Sequence, residues 1–339
     1  MSDDAITLEG QTSPADMGAF FRLLHLYLTS PRRDTVAFRR YQVRMASLVQ
    51  DRGRDPDAVF RDSVTAVLAG GDPRALKSGA PFYGSMRLDD ALDFWALRAA
   101  NGAGFTVAIV GDFTLARVRP LVERYLASIP RGEAERPRSR GRPFITGPVR
   151  REVASGIDAR ARTAIGFTAP LEQPSNDNVN ALNAVREVVE RAVTERLRGQ
   201  MGGTYQVDVS LAIDVVPPTR YTMTVEFESA PERIEALTAA TMDELARLHR
   251  GGPSEAQFLG VREARVRDFD GRVEDNEFWV GELTFHARHG WPLAGIATHR
   301  REAEVMALAD LRRACATYIP PRDYVRVTMR PRARAVAAR

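Results

Sequence analysis

Arg198 and Tyr205 stand seven residues apart on either side of Gly202-Gly203, so a guanidinium and a phenol flank one turn. Both are hydrogen-bond donors that keep their protons near neutral pH. Upstream, Val179, Leu182, Val185, Val189, Val193 and Leu197 recur at three- and four-residue steps. That spacing predicts an amphipathic helix over 176–200, started by Pro174-Ser175-Asn176-Asp177. The glycine pair can take the positive φ that stops it, and Thr204-Tyr205-Gln206-Val207-Asp208-Val209 then alternates as a half-buried strand does. Each residue also has an ordinary structural explanation: the macrodipole favours a cation at a helix C-terminus, and tyrosine suits an amphipathic strand.

The histidines form the second constellation. Of His25, His249, His286, His289 and His299, only His286 and His289 are close in sequence, and with Glu282 they make an i, i+4, i+7 set on one helical face. Such a set can in principle hold a metal. Against it, no glutamate lies between the two histidines, and Arg288 opposes a cation, so no metal ligand is assigned. Ser, His and Asp are present without a nucleophile elbow, and Ala69-Gly70-Gly71-Asp72 lacks the Lys-Ser/Thr of a phosphate cradle. Cys315 is the only cysteine, which excludes an intrachain disulfide, and Trp95, Trp279 and Trp291 read as core or groove wall.

The helix, the glycine turn and the Arg…Tyr pair at this separation resemble the C-terminal, non-catalytic part of the pitrilysin/insulinase (M16) family of zinc metallopeptidases. In that family an inverted His-x-x-Glu-His motif and a distant Glu bind zinc, and the motif Glu serves as general base. No His-x-x-Glu-His occurs here. The distant Glu lies about eight residues before an Asp-Pro; here Asp55-Pro56 is in place, and counting back lands on Leu48, which cannot ligate. The resemblance therefore implies the third and fourth domains of a four-domain chain. This chain itself would hold no cofactor, and zinc would be supplied by a partner domain or subunit. It also implies that Arg198 binds substrate by donating to a peptide carbonyl. Tyr205 binds substrate too, and assists catalysis by donating to the oxyanion on the scissile carbonyl. One departure is Gly199-Gln200, where the family often has an acidic residue shortly after the Arg. The alternative reading is a peptidase-like interaction or scaffold subunit that has lost catalysis.

The elements that must position these residues fall into two parts. With 339 residues and 44% apolar content, the chain can bury two cores. A Pro-, Gly- and charge-rich linker at 131–145 separates a part at 1–130 from one at 146–331, followed by a basic tail at 332–339. Phe38 and Phe258 match at an offset of 220, and Phe105 and Tyr324 at 219, which indicates a domain repeat. The predicted strand 5–10 and helix 14–28 then correspond to strand 221–227 and helix 231–249. Strand 105–110 corresponds to 324–329. The second copy has further strands at 150–154, 160–168 and 204–214 besides the helix 176–200. The expected fold is α+β, an antiparallel-rich sheet backed by helices, with one complete domain and one partial one. On that register strand 5–10 and the helix face carrying Phe20, Phe21, Leu24, Leu26 and Leu28 are exposed, and an upstream polypeptide is expected to cover them. A shorter, complete domain with its own topology is the alternative.

The formal charge of +4 comes from 48 basic and 44 acidic residues, with Lys77 the lone lysine. The arginines are spread along every helix beside acids, which argues against nucleic acid as a partner. No signal peptide and no run of eighteen apolar residues is evident. The expectation is a chain without a membrane span, cytoplasmic as written, or periplasmic if an upstream part is missing.

Overall fold

Ala161–Pro170 is buried at nearly every position, from Ala161 through Thr168, as only a strand with neighbours on both edges and cover on both faces can be. The computed structural model describes residues 5–72, 75, 78–99, 101–133, 143–172, 174–200, 206–215, 218–320 and 322–332. In chain order its helices and strands are α1 (Met17–Thr29), α2 (Thr35–Arg52), α3 (Pro56–Leu68), α4 (Ala80–Ser85), α5 (Leu88–Ala99), α6 (Leu115–Tyr125), β1 (Val149–Ala154), β2 (Ala161–Pro170), α7 (Asn176–Thr194), β3 (Val207–Asp214), β4 (Arg220–Ser229), α8 (Ile234–Gly251), α9 (Glu255–Arg272), α10 (Asn276–His289), α11 (His299–Val305), α12 (Leu308–Tyr318) and β5 (Val325–Arg330). A π-helical segment, Glu195–Gln200, continues α7. No helix of the described residues is long and apolar enough to cross a membrane.

These elements form two compact units. The larger comprises Asp51–Lys77, Ser139–Glu274 and His289–Arg339. Its sheet has the order β1-β5-β2-β4-β3, with β2 antiparallel to both β4 and β5, and β1 parallel to β5. On one face Ile165, Phe167, Met223 and Val225 join a core with Val185, Val189 and Val193 of α7 and Leu237 and Leu248 of α8. On the other, Ala164, Val325, Val327 and Met329 receive Phe60 and Val64 of α3. Gly166 makes that second contact possible, because a Cβ there would lie 2.7 Å from Leu68 Cδ2.

The smaller unit comprises Met1–Gln50, Ser78–Arg138 and Asp275–Arg288. Met17 and Phe21 of α1 pack on Val118 of α6, and Leu28, Ala99 and Ile129 form a second small core beside Trp95. The Trp95 indole donates to the Tyr27 carbonyl at 2.8 Å, and His25 Nδ1 lies 2.7 Å from the Tyr125 carbonyl.

The repeat is visible in the helices: α2 and α9 begin at Thr35 and Glu255, α3 and α10 at Pro56 and Asn276, α5 and α12 at Leu88 and Leu308, each pair 220 residues apart. The compact units do not follow the linker, however. Helix α3, from the first copy, belongs to the larger unit, and most of its equivalent α10, from the second copy, to the smaller. Residues 134–142 of the expected linker and 333–339 of the tail lie outside the described residues.

Two expectations need correction. Segments 5–10 and 105–110 are not strands. The sheet order supplies the reason: their counterparts β4 and β5 do not pair with each other, since β2 lies between them, and the smaller unit has no β2 among the described residues. Nor is the apolar face of α1 left wholly bare, because α6 and α5 cover Phe21 and Leu28, while Leu26 stays exposed.

Candidate functional site

Helix α7 is fixed before it reaches the candidate site. Ser175 caps it, its side chain accepting from the Asn178 N–H at 3.2 Å. Leu182, Val185, Val189, Val193 and Leu197 are buried as the periodicity predicts. So are Ala184, Val188 and Ala192, so that more than one stripe of the helix is covered. Sequence reasoning passed over Glu187, although a carboxylate amid valines is itself a signal. It accepts from Arg265 of α9 at 3.0 Å, and Arg186 beside it reaches Glu190 at 2.8 Å. Burial pushes the Glu187 carboxyl above the usual range, against the pull of Arg265 and Arg186.

The helix then widens into the π-helical segment. Such segments arise where one extra residue must be fitted and are frequent at functional sites. Glu195 is held from two sides, accepting from Arg191 Nε at 3.1 Å and from Gln257 Nε2 at 3.0 Å. Gln257 is itself immobilised in a capping box with Ser254 at the start of α9. Gly260 lets Arg191 pass across α9, since any Cβ there would collide with its guanidinium. Leu197 is fully buried, and Arg198, the next residue, is exposed. A clamp on Glu195 and an anchor at Leu197 thus set the direction in which Arg198 leaves the turn. Gly202, Gly203 and Tyr205 lie outside the described residues, and β3 is described from Val207 onward, its Val207 and Val209 buried and Asp208 and Ser210 exposed.

On α10, His286 Nε2 lies 3.8 Å from Glu282 Oε2, with His286 buried, while the His289 ring packs 6.2 Å from Trp291. Leu48, at the position where the resemblance calls for a ligating glutamate, is a 57% exposed apolar side chain on α2. It offers no donor atom, so the zinc set of the family is not met at this position. Cys315 is buried in α12, and burial pushes its thiol up to about 12. That keeps it an inert thiol.

Comparison with known proteins accords with this architecture. Residues 86–265, just over half of the chain, match the model described as the peptidase M16 inactive domain. A zinc protease PQQL-like protein of Arabidopsis thaliana is 22% identical over 257 residues, which is 69% of this chain and 26% of the relative. A probable zinc protease PqqL of Haemophilus influenzae is 30% identical over 178 residues, 50% of this chain and 18% of the relative. The crystal structure of the periplasmic protease PqqL from Escherichia coli superposes with a TM-score of 0.80 at 17% identity, covering 94% of this chain and 35% of that one. The chain thus spans about a quarter or less of the curated relatives it matches. On the family match, the chain belongs to the M16 peptidase family, as a domain of the inactive type.

Proposed function

We propose that this chain forms the non-catalytic half of a zinc metallopeptidase and shapes its substrate chamber. Arg198 donates to a backbone carbonyl of the peptide, and Tyr205 donates to the oxyanion on the scissile carbonyl. Another domain or chain bearing His-x-x-Glu-His supplies the zinc and the general base. The observation that carries the reading is the exposed Arg198 beside fully buried Leu197, on a clamped π-helical segment inside an M16 inactive-type domain. The backbone from which Arg198 leaves is fixed by Leu197 and Glu195, which limits the reach of its guanidinium to one side of the turn.

The test is cleavage of a quenched fluorescent peptide library by this chain alone, by a zinc-motif M16 subunit alone, and by the two mixed, with and without chelator. Chelator-sensitive cleavage that appears only in the mixture and falls in Tyr205→Phe supports the half-enzyme reading. A stable complex without cleavage moves the assignment to an inactive scaffold subunit. Cleavage by this chain alone overturns both.

A further inference from the structure

Within the larger unit, α7 and α9 meet once per turn along a polar ladder. Glu187 accepts from Arg265 at 3.0 Å, the Arg191 guanidinium lies against Gly260, where a Cβ would stand 2.0 Å from its Nη1, and Glu195 accepts from Gln257 at 3.0 Å. Residue numbers rise along the ladder on α7 and fall on α9, so the two helices run antiparallel at this contact. Phe258 and Val261 of α9 enter the core shared with Val185 and Val189 of α7, which fixes the register of one helix on the other.

The last rung reaches beyond these two helices. Gln257 Oε1 accepts from the Ser254 N–H at 3.1 Å and from Arg247 Nη2 of α8 at 3.3 Å. Arg247 in turn donates to Glu244 at 2.7 Å and to the Gly252 carbonyl at 3.1 Å. Two donors therefore hold the oxygen of the Gln257 amide, and its Nε2 is left facing the Glu195 carboxylate, which has no proton to give. The corner between α8 and α9 is itself fixed, because Gly252, at φ +69°, lies so near α12 that a Cβ would stand 2.4 Å from Arg312 Cγ.

This rung falls where the helix changes character, since the π-helical segment begins at Glu195. In a helix each residue turns the chain by about 100°, so moving the extra residue by one place turns all that follows by that angle. Such a rotation is enough to exchange the buried face, which Leu197 occupies, for the exposed one, from which Arg198 leaves.

We propose that Gln257 is a positioning residue for Arg198. By donating to Glu195 it pins the start of the widened turn, and the α8–α9 corner thereby sets the face on which the guanidinium emerges. The proposal rests on the reading of Arg198 as a peptide contact.

Its test is an exchange of donor and acceptor. Gln257→Glu keeps the side-chain length, the capping box with Ser254 and the contact with Arg247, but it sets a second carboxylate against Glu195. Glu195→Gln combined with Gln257→Glu restores one donor and one acceptor in the reverse sense. In the mixture with a zinc-motif M16 subunit, Gln257→Glu is expected to raise KM about fivefold with kcat nearly kept. The exchanged pair should return KM to within about twofold of the parent, and Gln257→Glu should add nothing in an Arg198→Ala background. In the chain alone, amide hydrogen exchange over 195–200 should quicken in Gln257→Glu and slow again in the exchanged pair. An unchanged KM in Gln257→Glu, where Arg198→Ala raises it, overturns this proposal alone. So does a rise that the exchange fails to rescue or that persists without Arg198, and so does unaltered hydrogen exchange. No cleavage by the mixture, or no effect of Arg198→Ala on KM, overturns the peptide-contact reading and this proposal with it.

Discussion

At the scale of the residue, the Arg198 and Tyr205 roles separate in kinetics. A phenol that meets only the developing oxyanion acts in the transition state, so Tyr205→Phe in the reconstituted peptidase is expected to lower kcat by about 10²-fold with KM nearly unchanged. Arg198 meets a carbonyl present in substrate and transition state alike, and Arg198→Ala should raise KM about tenfold, the worth of one charge-assisted hydrogen bond, with kcat nearly kept. Equal loss of kcat in both variants would contradict this division of labour. Cys315 gives a second prediction, on stability. Its thiol is pushed from 9.0 up to about 12 by burial. The folded state therefore holds a proton that the unfolded chain begins to release near pH 9, and the stabilisation present below that value is lost as pH rises toward 12. By pH 10 the loss is on the order of 1 kcal/mol. Urea melts at pH 8 and 10 should show it in the parent and not in Cys315→Ala; equal slopes in the two proteins would mean that the thiol titrates normally in the fold.

At the scale of the element, α7 was legible because its valines and leucines keep a strict three- and four-residue spacing, and Ser175 marks its start. The strands β1 to β5 were legible within a few residues for the same kind of reason. The irregular course of 5–10 and 105–110 was not. Ile6 and Leu8 alternate with Thr7 and Glu9 as strand residues do, but alternation reports a preference for a pleated surface and says nothing of whether a neighbour is there to pair with. The π-helical segment was missed because a single inserted residue leaves the apolar period intact up to Leu197. Gly166 was invisible too, being a strand glycine whose purpose is a helix 98 residues earlier in the chain. It yields a test at this scale. Gly166→Ala places a Cβ against Leu68 Cδ2, at a cost of about 1–3 kcal/mol in overpacking. Leu68→Ala alone also destabilises, by removing apolar contact, and the double variant should recover part of the Gly166→Ala loss. Strict additivity of the two changes in denaturant midpoints would show that α3 and β2 do not meet at this point.

At the scale of the whole molecule, the 220-residue repeat was readable from Phe38 and Phe258, but the assignment of α3 to the larger unit was not. Phe60 and Val64 announce an apolar helix face without saying which sheet it covers. Phe60 is fully buried there and Val64 nearly so, and burying such side chains contributes about 1.5–3 kcal/mol each, a sizeable part of the 5–15 kcal/mol that holds a domain. Most of α10 belongs in turn to the smaller unit. A single cut in the linker therefore leaves each product with a helix that the other product's unit requires. Arg131, Arg138 and Arg140, none of them followed by proline, offer limited trypsin digestion its sites in the linker. The two products are expected to co-elute on native size exclusion and to separate only in denaturant. Once separated, the C-terminal product should lose its cooperative melt and regain it on addition of a peptide of residues 51–77. A C-terminal product that leaves its partner under native conditions and melts as before would show that α3 is dispensable to the sheet it covers, and that the linker is a true domain boundary.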